Sequence, residues 1–254
     1  MTVASVLVAA RDGGVLTLTL NRPDKRNALS AELIGTLHAA VAEADLDSDV
    51  RVLVLRGAGR DFCAGLDLAE LLASTDRSVA ENEAEALWLG ELFLALRRIP
   101  KPVIGAVQGH AVAGGCGLAT ACDLVLASGD ARLGYPEIQR GFVPAMVLAL
   151  LRPLVGEKVA FDLAATGRLL TADEARGAGL VSRVLAPETF DAEVASVAAA
   201  LAGGSATALG LTKQLLYDLD GLSVPDGIRL GARVNALARG TPELRELVGR
   251  FLGR

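Results

Sequence analysis

The residues of this sequence that could perform chemistry are concentrated between Lys101 and Gly141. Within this stretch, a glycine-rich segment at 114–117 precedes a run of small residues, and a single carboxylate, Glu137, follows a proline. A helix beginning at Gly114 would leave backbone N–H groups without helical partners, and such groups stabilise a negative oxygen. A second donor is available at Leu66, in the tight 61–67 loop. Two amides and one carboxylate would suit the formation of a thioester enolate.

Each of these features also has a structural interpretation. On spacing alone, Glu137 is a charged loop residue after a proline, and the 61–67 loop is a turn whose Asp67 caps the next helix. Lys25 and Arg26 follow a predicted strand, where they are either solvated loop charges or contacts for an anion. Spacing does not choose between these alternatives.

Several motifs that would indicate other chemistry fail at specific positions. Gly109 and Gly114 have phosphate-loop spacing, but Gly115 and Cys116 stand where that loop requires lysine and a hydroxyl residue. The dinucleotide fingerprint and the Gly-x-Ser-x-Gly motif are also missing from the sequence. No metal site is expected, because the histidines and cysteines do not form a CxxC or HxE pattern. Cys63, Cys116 and Cys122 are expected to be buried free thiols of a cytoplasmic protein.

Composition limits the partners further. The formal charge of −5 arises from interspersed acids and bases, so no nucleic-acid surface is expected. The most membrane-like window, 105–129, is interrupted by His110 and Asp123, so no membrane partner is expected either.

Alternating and periodic apolar residues predict the elements that must position these groups. Strands are predicted within 1–10, 15–20, 50–56, 102–107, 124–127 and 181–185. Helices are predicted after Ser30, from about 68, over 78–98, from 114, and over 145–152, 156–165, 172–177, 188–202, 205–218 and 225–251. This order indicates an α/β core followed by a helical C-terminal part.

The sequence resembles the crotonase (enoyl-CoA hydratase/isomerase) superfamily over essentially its full length. The resemblance is carried by separate motifs in the same order: Asn21-Arg22-Pro23, Asn27-Ala28-Leu29, Phe62 to Asp67, Lys101-Pro102 with Gly109, Gly114 to Ala119, Ala121-Cys122-Asp123, Pro136-Glu137, Thr166-Gly167-Arg168, Ala172, Glu174-Ala175 and Gly179-Leu180-Val181.

That resemblance implies a crotonase-like spiral of ββα turns over 1–190 and a C-terminal helical trimerisation or capping part over 191–254. It implies that Glu137 is the catalytic acid/base, that the amides of Leu66 and Gly114 form an oxyanion hole, and that the protein is a homotrimer or homohexamer. The substrate implied is a coenzyme A thioester, with no further cofactor. The implied CoA-binding residues are Lys25, Arg26, Ala28, Ala64, Gly65, Asp67, Leu68, Phe251 and Arg254.

Gly117 departs from the family pattern, because two-glutamate hydratases of this family carry a second acid at the matching position. One carboxylate can still move a proton from one end of an allyl unit to the other, so double-bond isomerisation is slightly favoured over hydration of an enoyl-CoA. Alternatives are a CoA-binding subunit with little turnover, or another crotonase-type reaction such as decarboxylation or C–C cleavage. Glu91, Glu70 and Asp67 are the other acids considered, and are expected to be surface or capping residues.

Overall fold

The computed structural model describes residues 5–253. Its strands are β1 Leu7–Asp12, β2 Val15–Leu20, β3 Val52–Gly57, β4 Val103–Val107, β5 His110–Val112, β6 Leu124–Ser128, β7 Arg132–Gly134, β8 Leu169–Thr171 and β9 Arg183–Leu185. Its α-helices are α1 Ala31–Leu46, α2 Leu68–Ala73, α3 Val79–Arg98, α4 Gly114–Thr120, α5 Ala145–Thr166, α6 Ala172–Gly177, α7 Phe190–Ala202, α8 Ala206–Asp218, α9 Val224–Arg239 and α10 Pro242–Phe251.

The strands form two sheets. The larger has the order β1-β2-β3-β4-β6-β9, in which only the β1–β2 pair is antiparallel. The smaller has the order β5-β7-β8, with β5 and β7 parallel. Helices connect the parallel strands, so the predicted α/β class with a helical C-terminal part is confirmed.

Alternate residues of β3 face opposite sides of the larger sheet, as the two-residue period of a strand requires. Leu53 and Leu55 belong to the main core together with α1, whereas Val52 and Val54 belong to a smaller core under α7. A groove of about 480 Å³ lies between α7 and this second face, and none of the predicted site residues lines it.

Three sequence predictions need correction. The three short strands β5, β7 and β8 were not predicted, because three residues are too few to show alternation. Residues 225–251 form two helices, since Thr241 caps α10 by accepting from Leu244 N and Pro242 occupies its first position. The two helices predicted over 145–152 and 156–165 are confirmed, because the backbone of α5 is not helical at Gly156, where φ is 76°. The first strand, predicted within 1–10, is Leu7–Asp12, and residues 1–4 of that prediction lie outside the described residues.

A buried charge network attaches α8 to the core. Lys213 Nζ lies 2.7 Å from Asp123 Oδ2 and donates to the carbonyl oxygens of Leu96 and Lys101. Tyr217 donates to the other oxygen of Asp123 at 2.7 Å. Helices α9 and α10 contain no buried residue in this chain. Within residues 5–253, no single helix is long and apolar enough to span a membrane, although α7 and α8, bent by 102°, pass that test as a pair.

Candidate active site

Two backbone amides lie side by side at the start of α4. A Cβ atom placed on Gly114 would lie 3.9 Å from the amide nitrogen of Leu66, and one placed on Gly65 would lie 3.4 Å from the amide nitrogen of Gly114. Within residues 5–253, neither the Leu66 nor the Gly114 amide donates to another protein group. Ala113, just before α4, has a φ of 54°, a conformation that costs a non-glycine residue about 1–3 kcal/mol. The described part of the chain therefore presents two unused donors at one point.

Parallel pairing explains why these amides meet. Cys63 pairs with Ala111 in a parallel bridge, and Ala111 pairs in parallel with Leu133. Leu66 and Gly114 come three residues after Cys63 and Ala111, and Glu137 comes four residues after Leu133. The carboxyl ends of adjacent parallel strands share an edge, which is where such folds place their ligands. The two amides and the carboxylate thus belong to the same edge.

Glu137 is buried in the 3₁₀ helix Pro136–Arg140, with 8% of its surface exposed. Its Oε2 atom is buried and has no hydrogen-bond partner within residues 5–253. Burial raises the pKa of this carboxyl above its ordinary value of 4.5, although a backbone hydrogen bond and the charge of Arg140 act in the opposite direction. Burial also raises the pKa of Cys116 in α4 to about 11, and the nearby charge of Glu137 contributes to that rise. A desolvated, unpartnered carboxylate with a raised pKa has the properties of a general base.

Gly117, one helical turn after Gly114, is enclosed by apolar side chains. A Cβ atom at this position would overlap Val147 Cγ1 from α5 and would lie 3.1 Å from Phe93 Cζ of α3. The space beside residue 117 is therefore filled by two hydrophobic residues. Sequence reasoning identified the missing acid but not these two side chains.

The other acids considered for the site are engaged elsewhere. Glu91 is exposed and pairs with Arg98 at 3.1 Å. Glu70 accepts from the backbone N–H of Ala31 at 2.8 Å. Asp67 caps α2 by accepting from Ala69 N, as predicted, and it also pairs with Arg22 at 2.9 Å. Of these four acids, Glu137 alone has a buried carboxylate oxygen without a hydrogen-bond partner within residues 5–253.

The loop from Arg22 to Ala28 packs against the 61–67 loop. Asn27 has a φ of 56° and is fully buried, and its side-chain amide donates to the carbonyl oxygens of Ala58 and Asp61. Ala64 N donates to Arg26 O at 2.9 Å, and Leu29 N donates to Gly65 O at 2.8 Å. The predicted residues Arg26, Ala28, Ala64, Gly65 and Asp67 therefore come together.

The remaining predicted CoA-binding residues have different environments. Lys25, within the first of these loops, and Leu68, directly after the second, are exposed. Phe251 is 89% exposed in α10, which packs on α9, and its predicted role at a neighbouring subunit stays a prediction. Arg254 lies outside the described residues.

Asp61 is a buried carboxylate that sequence reasoning assigned only to a loop. It accepts from Arg26 Nε at 2.7 Å and from both the backbone N–H and the Nδ1 atom of His110, at 2.9 and 2.8 Å. Burial alone would raise the pKa of Asp61, but the hydrogen bonds from Arg26 and His110 lower it to about 2. Arg26 is therefore an ion-pair partner, and its side chain remains 51% exposed. The sequence signal that could have revealed this cluster is the pair of glycines, Gly57 and Gly109, whose backbones pack directly against Asp61.

The cysteines have the predicted structural role. Cys63, Cys116 and Cys122 are buried free thiols, and burial raises the pKa of each. Within residues 5–253, no three His, Cys, Asp or Glu side chains are grouped as a possible metal site.

Comparison with known proteins finds similarity along almost the whole chain. A sequence profile of the family described as Enoyl-CoA hydratase/isomerase matches residues 10–236. A Thermus thermophilus protein named "Putative enoyl-CoA hydratase" is 44% identical over 245 residues, covering 96% of this chain and 97% of that protein. The 2,3-dehydroadipyl-CoA hydratase of Escherichia coli is 36% identical over 251 residues, covering 98% and 96% of the respective chains. The crystal structure of a Mycobacterium smegmatis enoyl-CoA hydratase has a TM-score of 0.93 at 35% identity, covering 98% of this chain and 96% of that chain.

Proposed function

The chain belongs to the enoyl-CoA hydratase/isomerase family, and from this premise we propose that it converts enoyl-CoA thioesters through an enolate, with Glu137 as its only acid/base group. The observation that carries the proposal is that, within residues 5–253, the buried Oε2 atom of Glu137 has no hydrogen-bond partner and the Leu66 and Gly114 amides at the same edge donate to no protein group. The amides would stabilise the negative oxygen of the thioester while Glu137 removes a proton from the acyl chain.

Double-bond isomerisation is the reaction that this arrangement supports best. Glu137 removes a proton from the α carbon of a 3-enoyl-CoA, the electron pair delocalises onto the thioester oxygen, and the same proton returns at the γ carbon. The product is a 2-enoyl-CoA, and no water is consumed. Val147 and Phe93 beside Gly117 support this reaction, because they leave an apolar surface where a second acid would have to hold water.

Hydration is the second candidate, favoured by the names of the relatives. In that reaction Glu137 would both orient a water molecule toward the β carbon and supply the α proton. One catalytic acid/base group typically contributes about 10²- to 10⁴-fold, so a single-carboxylate hydratase would be correspondingly slower than a two-acid one.

The test is to incubate the purified protein separately with a 3-enoyl-CoA and a 2-enoyl-CoA in isotopically labelled water. Isomerisation predicts interconversion of the two thioesters without label in an oxygen position. Hydration predicts a 3-hydroxyacyl-CoA that carries labelled oxygen. Formation of neither product, with CoA thioester still bound, would contradict the proposed reactions and support a subunit with little turnover.

The paired loops are proposed as the CoA-binding surface. Lys25 and the half-exposed guanidinium of Arg26 supply positive charge, while Ala28, Ala64, Gly65, Asp67 and Leu68 supply the surrounding loop backbone. Lys25→Gln is expected to raise KM with little change in kcat, because the interaction would be the same in the ground and transition states.

A homotrimer or homohexamer is proposed from the C-terminal helices. Apolar side chains in α9 and α10 are exposed in the single chain, and they include Ile228, Leu237, Leu247, Val248 and Phe251. Such a surface is typical of one covered by another subunit. Sedimentation equilibrium of the purified protein tests the assembly, and a monomer at micromolar concentration would contradict it.

A further inference from the structure

We propose that Asp61 is a positioning residue that fixes the spacing of the two oxyanion amides, an inference that rests on the proposed function. Asp61 lies five residues before Leu66, and its partner His110 lies four residues before Gly114. Its carboxylate therefore joins the two segments that supply the amides, at the point where those segments begin to run side by side.

Within residues 5–253, three backbone hydrogen bonds also connect the two segments that Asp61 joins. Phe62 N donates to Gln108 O at 2.9 Å, Cys63 N donates to His110 O at 3.0 Å, and Val112 N donates to Cys63 O at 3.0 Å. A single parallel bridge, between Cys63 and Ala111, sets their register. A charged acceptor that takes two N–H groups of His110 makes stronger bonds than a neutral one, so it defines this short register more firmly.

The third hydrogen bond of Asp61 acts from the opposite loop. Arg26 Nε donates to Asp61 Oδ2, while the carbonyl oxygen of Arg26 accepts from Ala64 N, two residues before Leu66. The same carboxylate thus connects three segments, namely the 22–28 loop, its own loop and β5. Leu66 itself pairs in a parallel bridge with Leu29, directly after the 22–28 loop.

The backbone around Asp61 leaves room for its carboxylate. Gly109 has a φ of 56°, and a Cβ atom there would lie 2.8 Å from Asp61 Oδ1 and would overlap Arg60 O. A Cβ atom on Gly57 would overlap the carbonyl oxygens of Asp61 and Phe62. Gly57 and Gly109 therefore allow the loop that carries Asp61 to pack closely against β3 and the start of β5. The proposed reaction assigns no proton transfer to the buried Asp61.

Asp61→Asn is the decisive variant, because an amide has one acceptor oxygen and can serve His110 or Arg26 but not both. The readout is the absorption spectrum of bound dimethylaminocinnamoyl-CoA, a conjugated thioester whose band moves when its carbonyl oxygen is polarised. We expect the wild-type protein to shift this band and Asp61→Asn to lose most of the shift. We also expect kcat to fall at least about tenfold with a smaller change in KM, since misplaced donors lose contact chiefly with the transition state.

His110→Phe replaces the imidazole with a larger planar ring that has no nitrogen, so the Nδ1 bond to Asp61 is lost while the backbone N–H bond remains. The side chain is 27% exposed, so this variant provides a test if Asp61→Asn does not fold. An intermediate loss of the spectral shift is expected. The matched control is Asp191→Asn, which neutralises an exposed acid paired with Arg56 and should leave the shift and kcat unchanged.

The outcomes distinguish a failure of the proposed oxyanion hole from a failure of the proposed role of Asp61. A wild-type protein that binds the thioester without a spectral shift would contradict the oxyanion hole itself, and with it the role of Asp61. A wild-type shift that persists unchanged in folded Asp61→Asn or, if that variant does not fold, in His110→Phe would overturn the positioning role alone.

Discussion

Val147 Cγ1 occupies the position that a Cβ atom on residue 117 would require. Residue 117 lies on a helix whose residues are all buried, and Phe93 closes the same space from α3. Glycine at this position therefore allows α3 and α5 to pack directly against the helix that begins with the Gly114 amide. An acid could be accommodated here only if the surrounding side chains changed with it.

Gly117→Ala is accordingly expected to lower the free energy of unfolding by about 1–3 kcal/mol, because an added methyl group overpacks this core. Gly177→Ala is the matched control: this helical glycine is exposed, and a Cβ atom there would meet no atom within 4 Å. Urea unfolding of both variants provides the measurement. Equal stability of Gly117→Ala and the wild type would show that the Val147 contact is not restrictive.

Glu137→Gln is expected to be at least as stable as the wild type at neutral pH, although it lacks the proposed base. The raised pKa means that ionisation is less favourable in the folded protein than in the unfolded chain, so the wild type loses stability as pH rises through this pKa. Glu137→Gln should therefore be more stable than the wild type at pH 7, and the difference should vanish below the ordinary pKa of 4.5. Urea unfolding at both pH values measures it, with the exposed Glu91→Gln as control. A destabilised Glu137→Gln at pH 7 would be inconsistent with a desolvated carboxylate.

Asp61→Asn should show the opposite pH dependence. The pKa of Asp61 is lowered to about 2 in the folded protein, so its ionised form contributes stability that is present above the unfolded pKa and lost as pH falls. We expect a loss of about 2 kcal/mol at pH 7 that narrows as pH falls from about 4 toward 2. Unfolding curves across this pH range, with Asp191→Asn as control, test the prediction. A pH-independent difference would show that the ion pair with Arg26 and the bonds from His110 are not responsible.

Lys213→Met is expected to destabilise the protein by about 3–5 kcal/mol, because it leaves the Asp123 carboxylate, whose side chain is only 15% exposed, without its cation. Lys158→Met, at an exposed position in α5, is the control and should change stability by less than about 0.5 kcal/mol. Thermal unfolding of the two variants compares them. If both behaved alike, the attachment of α8 would depend on apolar contacts and not on this ion pair.

The sequence predicts the long strands and helices of this structure better than the contacts that assemble the site. Long apolar patterns predicted β2, β4 and α3, and the family motifs located Glu137 and the glycines of α4. The short strands β5 and β7 that align Leu66, Gly114 and Glu137 left no periodic signal, because each has only three residues. The His110–Asp61 contact and the Val147–Gly117 contact join residues at least 30 positions apart, so they emerge only when the chain is folded.

The central claim, that Glu137 is the only acid/base group, is tested most directly by measuring kcat of Glu137→Gln on the enoyl-CoA that the wild type converts. We predict a fall of at least about 100-fold with thioester binding retained, since a general base typically contributes that factor or more. Glu91→Gln should keep the wild-type kcat. A Glu137→Gln protein that turned over either a 3-enoyl-CoA or a 2-enoyl-CoA at the wild-type rate would contradict the account.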